Sequence, residues 1–354
     1  MPTDYLLALS RDEFAREVAA LGLEPFRAKQ VWEWIFAKGV FTFDEMTNLP
    51  KPAREKLAVR FPEILPPIAD EQRDPDGTVK IALTLADGAR IEAVALPDDE
   101  ADSLTFCISS QVGCPVKCVF CRTGTTGLKR NLTAEEIVLQ VLSLSRVMRR
   151  KPTNIVFMGM GEPFLNRHSL FAAIDVLTSP KGMAMATRRL TISTSGVRDG
   201  ILELAERPGE VNLAVSLHAA DDATRSRLVP LNKKCPLAKL RDAITEYITR
   251  TSRRVTFEMV LLKGVNDGPE HVLNLIEFLQ GLTCHVNIVR FNPYPGCGFK
   301  PATEAAEKEF RKGLKKAGIA VTVRKSRGSE ILAACGQLAE QPSPQQEKPS
   351  PREE

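Results

Sequence analysis

Between Leu104 and Val323, apolar strand-like runs alternate with helical stretches, and this alternation limits the possible folds more than any other feature. The strand candidates span 104–109, 154–158, 190–194, 211–217, 255–262, 286–291 and 319–323. The helical stretches between them span 133–150, 168–177, 200–206, 237–251, 269–279 and 303–317. Parallel neighbouring strands need a crossover of a dozen or more residues, usually a helix. The pattern therefore predicts an α/β fold with a mostly parallel sheet covered by helices.

Upstream the texture differs. Ser10 followed three residues later by Glu13 predicts a capped helix over 11–21, a second helix runs over 25–38, and Leu49, Pro50 and Pro52 interrupt the pattern before 53–61. Both tryptophans, Trp32 and Trp34, lie in the second helix. Two residues apart they cannot share a helical face, so one is expected in the core and the other as a stacking surface near Arg27 and Lys29. Alternation over 79–85 and 89–96 around Asp87-Gly88 predicts a β-hairpin. The expected organisation is a small helical domain over 1–75, a linking hairpin over 76–100, a core over 101–338, and a disordered tail over 339–354. From Gln341 that tail holds four prolines in fourteen residues.

Composition narrows the class. With 43% hydrophobic and 26% charged residues, a sizeable core is expected and general disorder is excluded. No apolar run approaches the roughly 18 residues of a membrane helix, and acids stand where a secretory leader carries bases, so a cytoplasmic location is expected. Lys and Arg outnumber Asp and Glu by 48 to 44, a mildly basic balance compatible with RNA. Basic pairs recur at Lys129-Arg130, Arg149-Arg150, Arg188-Arg189, Lys233-Lys234, Arg253-Arg254 and Arg324-Lys325; such charges usually lie on solvated faces.

Eight cysteines are too few for a disulfide scaffold, and four crowd between Cys107 and Cys121. Cys114, Cys118 and Cys121 form C-x-x-x-C-x-x-C just beyond a strand. Three thiolates so close suit a multi-iron cluster. Zinc would want a fourth ligand, yet no second C-x-x-C exists and His168, His218, His271 and His285 are scattered. A redox pair at Cys118 and Cys121 would leave Cys114 idle. Three ligands on a four-iron (4Fe-4S) cluster leave one iron open to chelate the amino and carboxylate groups of a methionine moiety. Cys235, Cys284 and Cys297 read as small buried hydrophobes, with Cys297 close to Asn292.

Other strand ends fit a small-molecule pocket. The strand at Ile155 runs into Gly159-Met-Gly161-Glu162, that at Leu190 into Ser193-Thr-Ser-Gly196, that at Leu213 into Ser216-Leu217-His218, and that at Val286 into Asn292-Pro-Tyr-Pro-Gly296. In parallel α/β architectures ligands sit at the carboxyl ends of strands.

The triplet is the signature of the radical S-adenosylmethionine (SAM) superfamily, and the set CISSQVGC, CVFC, MGMGEP, ISTSGV, SLHA, RFNPYPG and AACGQL resembles the RlmN-type RNA adenine methyltransferases within it. The resemblance runs from about Arg90 to Leu338 and includes a helical accessory domain. It implies an incomplete (βα)6 radical-SAM barrel with a small N-terminal helical accessory domain. It implies methylation of carbon 2 of an adenosine in 23S rRNA and of an adenosine beside the anticodon of some tRNAs, with two SAM molecules per turnover. Cys335 matches the family's methyl-carrying cysteine, Cys107 its resolving thiol, through a transient disulfide, and Glu92 its proton acceptor. Gly161, Glu162, Ser193, Ser216, Leu217, His218 and Asn292 fall on its SAM-contacting positions. Cys114, Cys118 and Cys121 fall on its cluster ligands. A monomer served by an electron donor such as flavodoxin is expected. Sister enzymes of the same framework (Cfr-type) methylate carbon 8, and a zinc-stabilised RNA-binding protein without catalysis is the rival of another class.

Overall fold

The structure, a computed structural model, describes residues 5–324 and 326–339. The expected tail beyond Ala339, and Lys325, lie outside the described residues.

The chain begins with helices α1 (Arg11–Ala20), α2 (Phe26–Glu33) and α3 (Lys51–Arg60). Ser10 caps α1 as its sequence predicts: its hydroxyl accepts from the Glu13 amide, and the Glu13 carboxylate accepts from the Ser10 amide. The second helix does not run straight to Lys38. Its last turn, Trp34–Lys38, widens to a π-helix and stops at Gly39 in the left-handed conformation. Trp32 is the core tryptophan, stacked on Phe36 at 4.9 Å, whereas Trp34 is partly exposed with the Lys38 ammonium 3.5 Å from its ring centre. Pro52 does not precede α3 but occupies its first turn, where a missing N–H costs nothing.

Strands β1 (Ile68–Arg73), β2 (Val79–Thr84) and β3 (Arg90–Asp98) form an antiparallel meander joined to β4 (Ser103–Cys107). The polar IADEQR of β1, read in sequence as the end of a helical region, pairs with β2 along its whole length. Next come the small hairpin β5 (Gln111–Gly113) and β6 (Leu128–Asn131), with the short helix α4 (Arg122–Thr126) between them, and then α5 (Ala134–Met148). The chain continues through β7 (Asn154–Phe157), α6 (Arg167–Thr178), β8 (Leu190–Thr194), α7 (Arg198–Glu206), β9 (Asn212–Ser216), α8 (Asp222–Leu228) and α9 (Leu237–Thr251). It ends with β10 (Val255–Leu261), α10 (Pro269–Leu279), β11 (Cys284–Arg290), α11 (Glu304–Lys316) and β12 (Val321–Arg324).

Among the described residues one sheet of ten strands runs in the order β1-β2-β3-β4-β7-β8-β9-β10-β11-β12. Every neighbouring pair from β4 to β12 is parallel. Helical crossovers follow β4, β7, β8, β9, β10 and β11, so the six expected βα units are present and a seventh parallel strand closes the series. Side chains such as Phe106, Phe157, Ile192, Val215, Phe257 and Ile288 fill the space between sheet and helices. All the parallel strands deliver their carboxyl ends to one side.

Candidate active site

The cysteine loop leaves β4 at Cys107 and folds tightly before Cys114. Gly113 has φ +77°, and a Cβ there would stand 1.8 Å from the Gly127 carbonyl oxygen, so only glycine fits this turn. Lys117 is also left-handed, with φ +60°, and turns the chain between Cys114 and Cys118. Cys121 then stands at the N-terminus of α4 as its cap residue. Cys114, Cys118 and Cys121 all face an inner cavity of about 160 Å³ at the mouth of the parallel strands. Burial, which disfavours the thiolate, pushes the Cys114 thiol up to about 12, Cys118 well above its ordinary value, and Cys121 upward. Such a trio stays protonated unless a cationic centre takes its protons' place. Among the described residues, no three His, Cys, Asp or Glu side chains converge on a single ion. Three soft donors spaced around a cavity suit a polynuclear centre better than one tetrahedral zinc.

The remaining walls come from the predicted strand ends. Gly161, Glu162, Ser193, Ser216 and His218 line the inner cavity. Gly161 has φ +107°, and a Cβ there would meet Gln111 and Ser110 at 2.7 Å. Glu162 accepts from the Ser195 amide at 2.7 Å and its hydroxyl at 2.6 Å, while Phe164 donates at 3.2 Å. Burial nonetheless raises its pKa against those bonds. The hydroxyls of Ser193 and Ser216 lie 3.2 Å apart across β8 and β9. His218, at φ +61°, accepts the Val260 amide on Nδ1 at 3.2 Å and packs edge-on to Phe120. Burial first, and then the Arg225 charge, lower its pKa to about 3, so the ring is neutral and carries its proton on Nε2.

Leu217 does not line the cavity. Its side chain is buried in the core, and its backbone carbonyl accepts from Arg225 Nε at 3.1 Å. Asn292 faces a second, outer cavity of about 780 Å³. Cys107 also opens onto this outer cavity, together with Thr105, Arg327 and Leu338. Cys121, Met158, Gly159, Val289, Arg324, Cys335 and Gly336 wall both spaces, so the two cavities share a partition with Cys335 in it.

A strap formed by residues 326–339 brings Cys335 there. The Arg122 amide donates to the Gly336 carbonyl at 2.8 Å, Thr123 to the Leu338 carbonyl, Gln337 to the Pro293 carbonyl at 2.8 Å, and the Ala339 amide to Glu92 at 2.9 Å. Cys335 is accessible from the cavities yet ringed by protein, and this desolvation raises its thiol pKa while the nearby Arg324 charge lowers it. Cys107 is pushed up to about 12, by burial first and then by Cys335. Both are free thiols, as are the partly buried Cys235, Cys284 and Cys297.

Glu92 lies in neither cavity wall. It is buried behind the strap, with Lys80 Nζ 3.2 Å from Oε1.

Three charged residues of this neighbourhood escape sequence reading. Arg324 stands among the surface-type basic pairs in sequence, but it walls both cavities and approaches Glu258 at 3.7 Å. Glu258 faces the inner cavity, and Asn287 donates to its Oε1 at 3.0 Å. Arg225 is wholly buried and donates to the carbonyls of Ser195, at 2.6 Å, and Leu217, clamping two of the strand-end loops together. Asp221, which caps α8, was the available signal for that helix.

A model of the radical SAM superfamily matches residues 108–279, and one of the ribosomal RNA large subunit methyltransferase N-terminal domain matches residues 5–61. A dual-specificity RNA methyltransferase RlmN from Halorhodospira halophila is 44% identical over 94% of this chain and 92% of its own length. Another from Anaeromyxobacter dehalogenans is 43% identical over 97% of this chain and 93% of its own. The chain belongs to the RlmN family of the radical SAM superfamily. A solved radical SAM methyltransferase from Sphaerobacter thermophilus, 43% identical, superposes with a TM-score of 0.87 over 94% of this chain and 98% of its own. Membership in the RlmN family sets aside the zinc-stabilised binding protein as a reading of the triplet. It also agrees with the fold, since the matched superfamily segment holds the cysteine loop and the ends of β7, β8, β9 and β10 at the inner cavity.

Proposed function

We propose that this chain methylates carbon 2 of an adenosine in 23S rRNA and of the adenosine beside the anticodon of some tRNAs, through a methyl carried on Cys335. The observation that carries this reading is the partition: Cys335 opens both to the cavity of the cysteine triplet and to the cavity of Cys107. Carbon 2 of adenine is electron-poor and does not attack a SAM methyl group as an amine would, so the carbon must arrive as a radical. Cys114, Cys118 and Cys121 would hold a 4Fe-4S cluster, which would supply the one-electron chemistry needed to generate that radical from SAM.

The chain's own residues do the rest. Glu162, with the Gly161 backbone, offers an acceptor to the SAM ammonium, Ser193 and Ser216 offer hydroxyls to the sugar, and neutral His218 closes the site, with Leu217 behind it in the core and Asn292 at its outer rim. Cys335 first loses its proton and displaces the methyl group from one SAM sulfonium. After hydrogen loss, the carbon on that sulfur bonds to carbon 2. Glu92 takes the carbon-2 proton, and Cys107 attacks the Cys335 sulfur, forming a disulfide as the carbon–sulfur bond breaks and the carbon is protonated to a methyl group. A two-electron reductant then restores both thiols.

The N-terminal helices, which match the ribosomal RNA methyltransferase domain, provide RNA contact, with Trp34 and Lys38 on their exposed side. No described helix is long and apolar enough to cross a membrane. We place the protein in the cytoplasm as a monomer, reduced by a flavodoxin-type donor. Reconstituted enzyme given ribosomal RNA and tRNA, followed by nucleoside mass spectrometry, is expected to yield 2-methyladenosine from both. Recovery of 8-methyladenosine instead would contradict the assignment.

A further inference from the structure

Lys80 and Glu92 form an ion pair in which both side chains are only 2% exposed. They are diagonal neighbours on one face of the β2–β3 pair, where Ala82 faces Glu92 and Lys80 faces Val94. On that same face Ala82 of β2 and Val94 of β3 are buried beside them, so the pair stands in the desolvated interior. Charges in such a place are costly unless paired, and a well-packed apolar pair is commonly as stable or more so. Stability alone therefore gives no reason for these two charges.

Their surroundings give one. Glu92 Oε2 accepts the Ala339 amide at the end of the strap that carries Cys335. The Glu92 carbonyl accepts from the Ser109 hydroxyl at 2.6 Å, two residues beyond Cys107. The carboxylate thus stands where the segments of both reactive thiols meet, with one oxygen on Lys80 and the other on the strap.

We propose that Lys80 is a positioning residue for proton transfer: it holds the Glu92 carboxylate as an oriented anion behind the strap, ready to accept the carbon-2 proton. This rests on the reading of Glu92 as the proton acceptor. In the step concerned, the carbon-2 C–H bond breaks, its electron pair stays with the ring, and the proton goes to Oε2, the oxygen not held by Lys80. Lys80 touches neither RNA nor SAM in this scheme; it acts through Glu92.

The test uses the reconstituted full chain as wild type, Lys80→Met, Glu92→Gln and the double variant. Labelled SAM reports the methyl on Cys335 by intact mass, and denaturing gels report the covalent protein–RNA adduct. Lys80→Met is expected to acquire the Cys335 methyl normally and to release RNA from the adduct roughly 10²-fold more slowly, the lower range for loss of a general base. Glu92→Gln should behave alike, and the double variant should be no worse than Glu92→Gln. Normal release by Lys80→Met while Glu92→Gln traps the adduct would overturn the role of Lys80. So would parallel loss of Cys335 methylation and release, or a double variant that multiplies the two defects. Normal release by Glu92→Gln would instead remove the reading of Glu92 itself. Should Lys80→Met fail to fold, the double variant, which removes both charges, is compared with Glu92→Gln: equal trapping supports the inference and a larger loss overturns it.

Discussion

The inner and outer cavities share a wall but are built in opposite ways. The inner one is made by strand ends whose positions the parallel sheet dictates, and its residues are fixed by backbone bonds and by Arg225. The outer one depends on a strap from the far end of the chain, held on α4, on the loop after β11 and on Glu92 by a few hydrogen bonds. A rigid scaffold suits a centre that must hold a cofactor without change. A latched segment suits the role proposed for Cys335, taking a methyl from one side and presenting it to RNA on the other.

This contrast can be broken by substitution. The largest effect is expected in the inner cavity: Cys118→Ala should abolish iron and sulfide binding on anaerobic reconstitution and reduce turnover to background. Cys335→Ala should also end turnover, yet keep the cluster's absorbance and take no methyl from labelled SAM. An iron-free Cys335→Ala protein would merge the two regions that we separate.

Arg225→Met tests the scaffold rather than the chemistry. It strands the Ser195 and Leu217 carbonyls in the interior, so a loss of roughly 2–4 kcal/mol in denaturant unfolding is expected. Loss of activity with unchanged stability would show that Arg225 acts otherwise.

The remaining test concerns pH, and its effect is small near neutrality and grows only with acid. The folded chain lowers the His218 pKa from 6.5 to about 3, so the unfolded chain binds the proton more readily. The stability from its neutral ring is full above pH 6.5 and falls with acid toward pH 3, by roughly 1.4 kcal/mol per unit. His218→Phe should flatten that part of the unfolding curve, and an unchanged slope would show that the ring is not held neutral.

Much of this arrangement was legible in the sequence because its periodicities are local. The strand at Leu190–Thr194 and the helices at Leu237–Thr251 and Pro269–Leu279 lie where their apolar spacing puts them. The cysteine triplet and the polar residues after each strand were readable for the same reason: one sheet edge gathers every strand end. What escaped depends on partners distant in sequence. The strand Ile68–Arg73 is too polar to show a hydrophobic face and exists because β2 offers it a ladder. Lys80, Arg225 and Arg324 look like surface charges until Glu92, the strand-end carbonyls and the paired cavities are brought to them. The latch between Ala339 and Glu92 joins segments 247 residues apart, which no local pattern encodes.

The central claim is that Cys335 and Cys107 work in sequence on one carbon across a shared cavity. Cys107→Ala, reconstituted and incubated with SAM, reductant and RNA, tests it most directly by peptide mass mapping. The predicted result is an adenosine joined through a methylene carbon to the peptide bearing Cys335. Free methylated RNA at the normal rate, or a crosslink on any other residue, would contradict it.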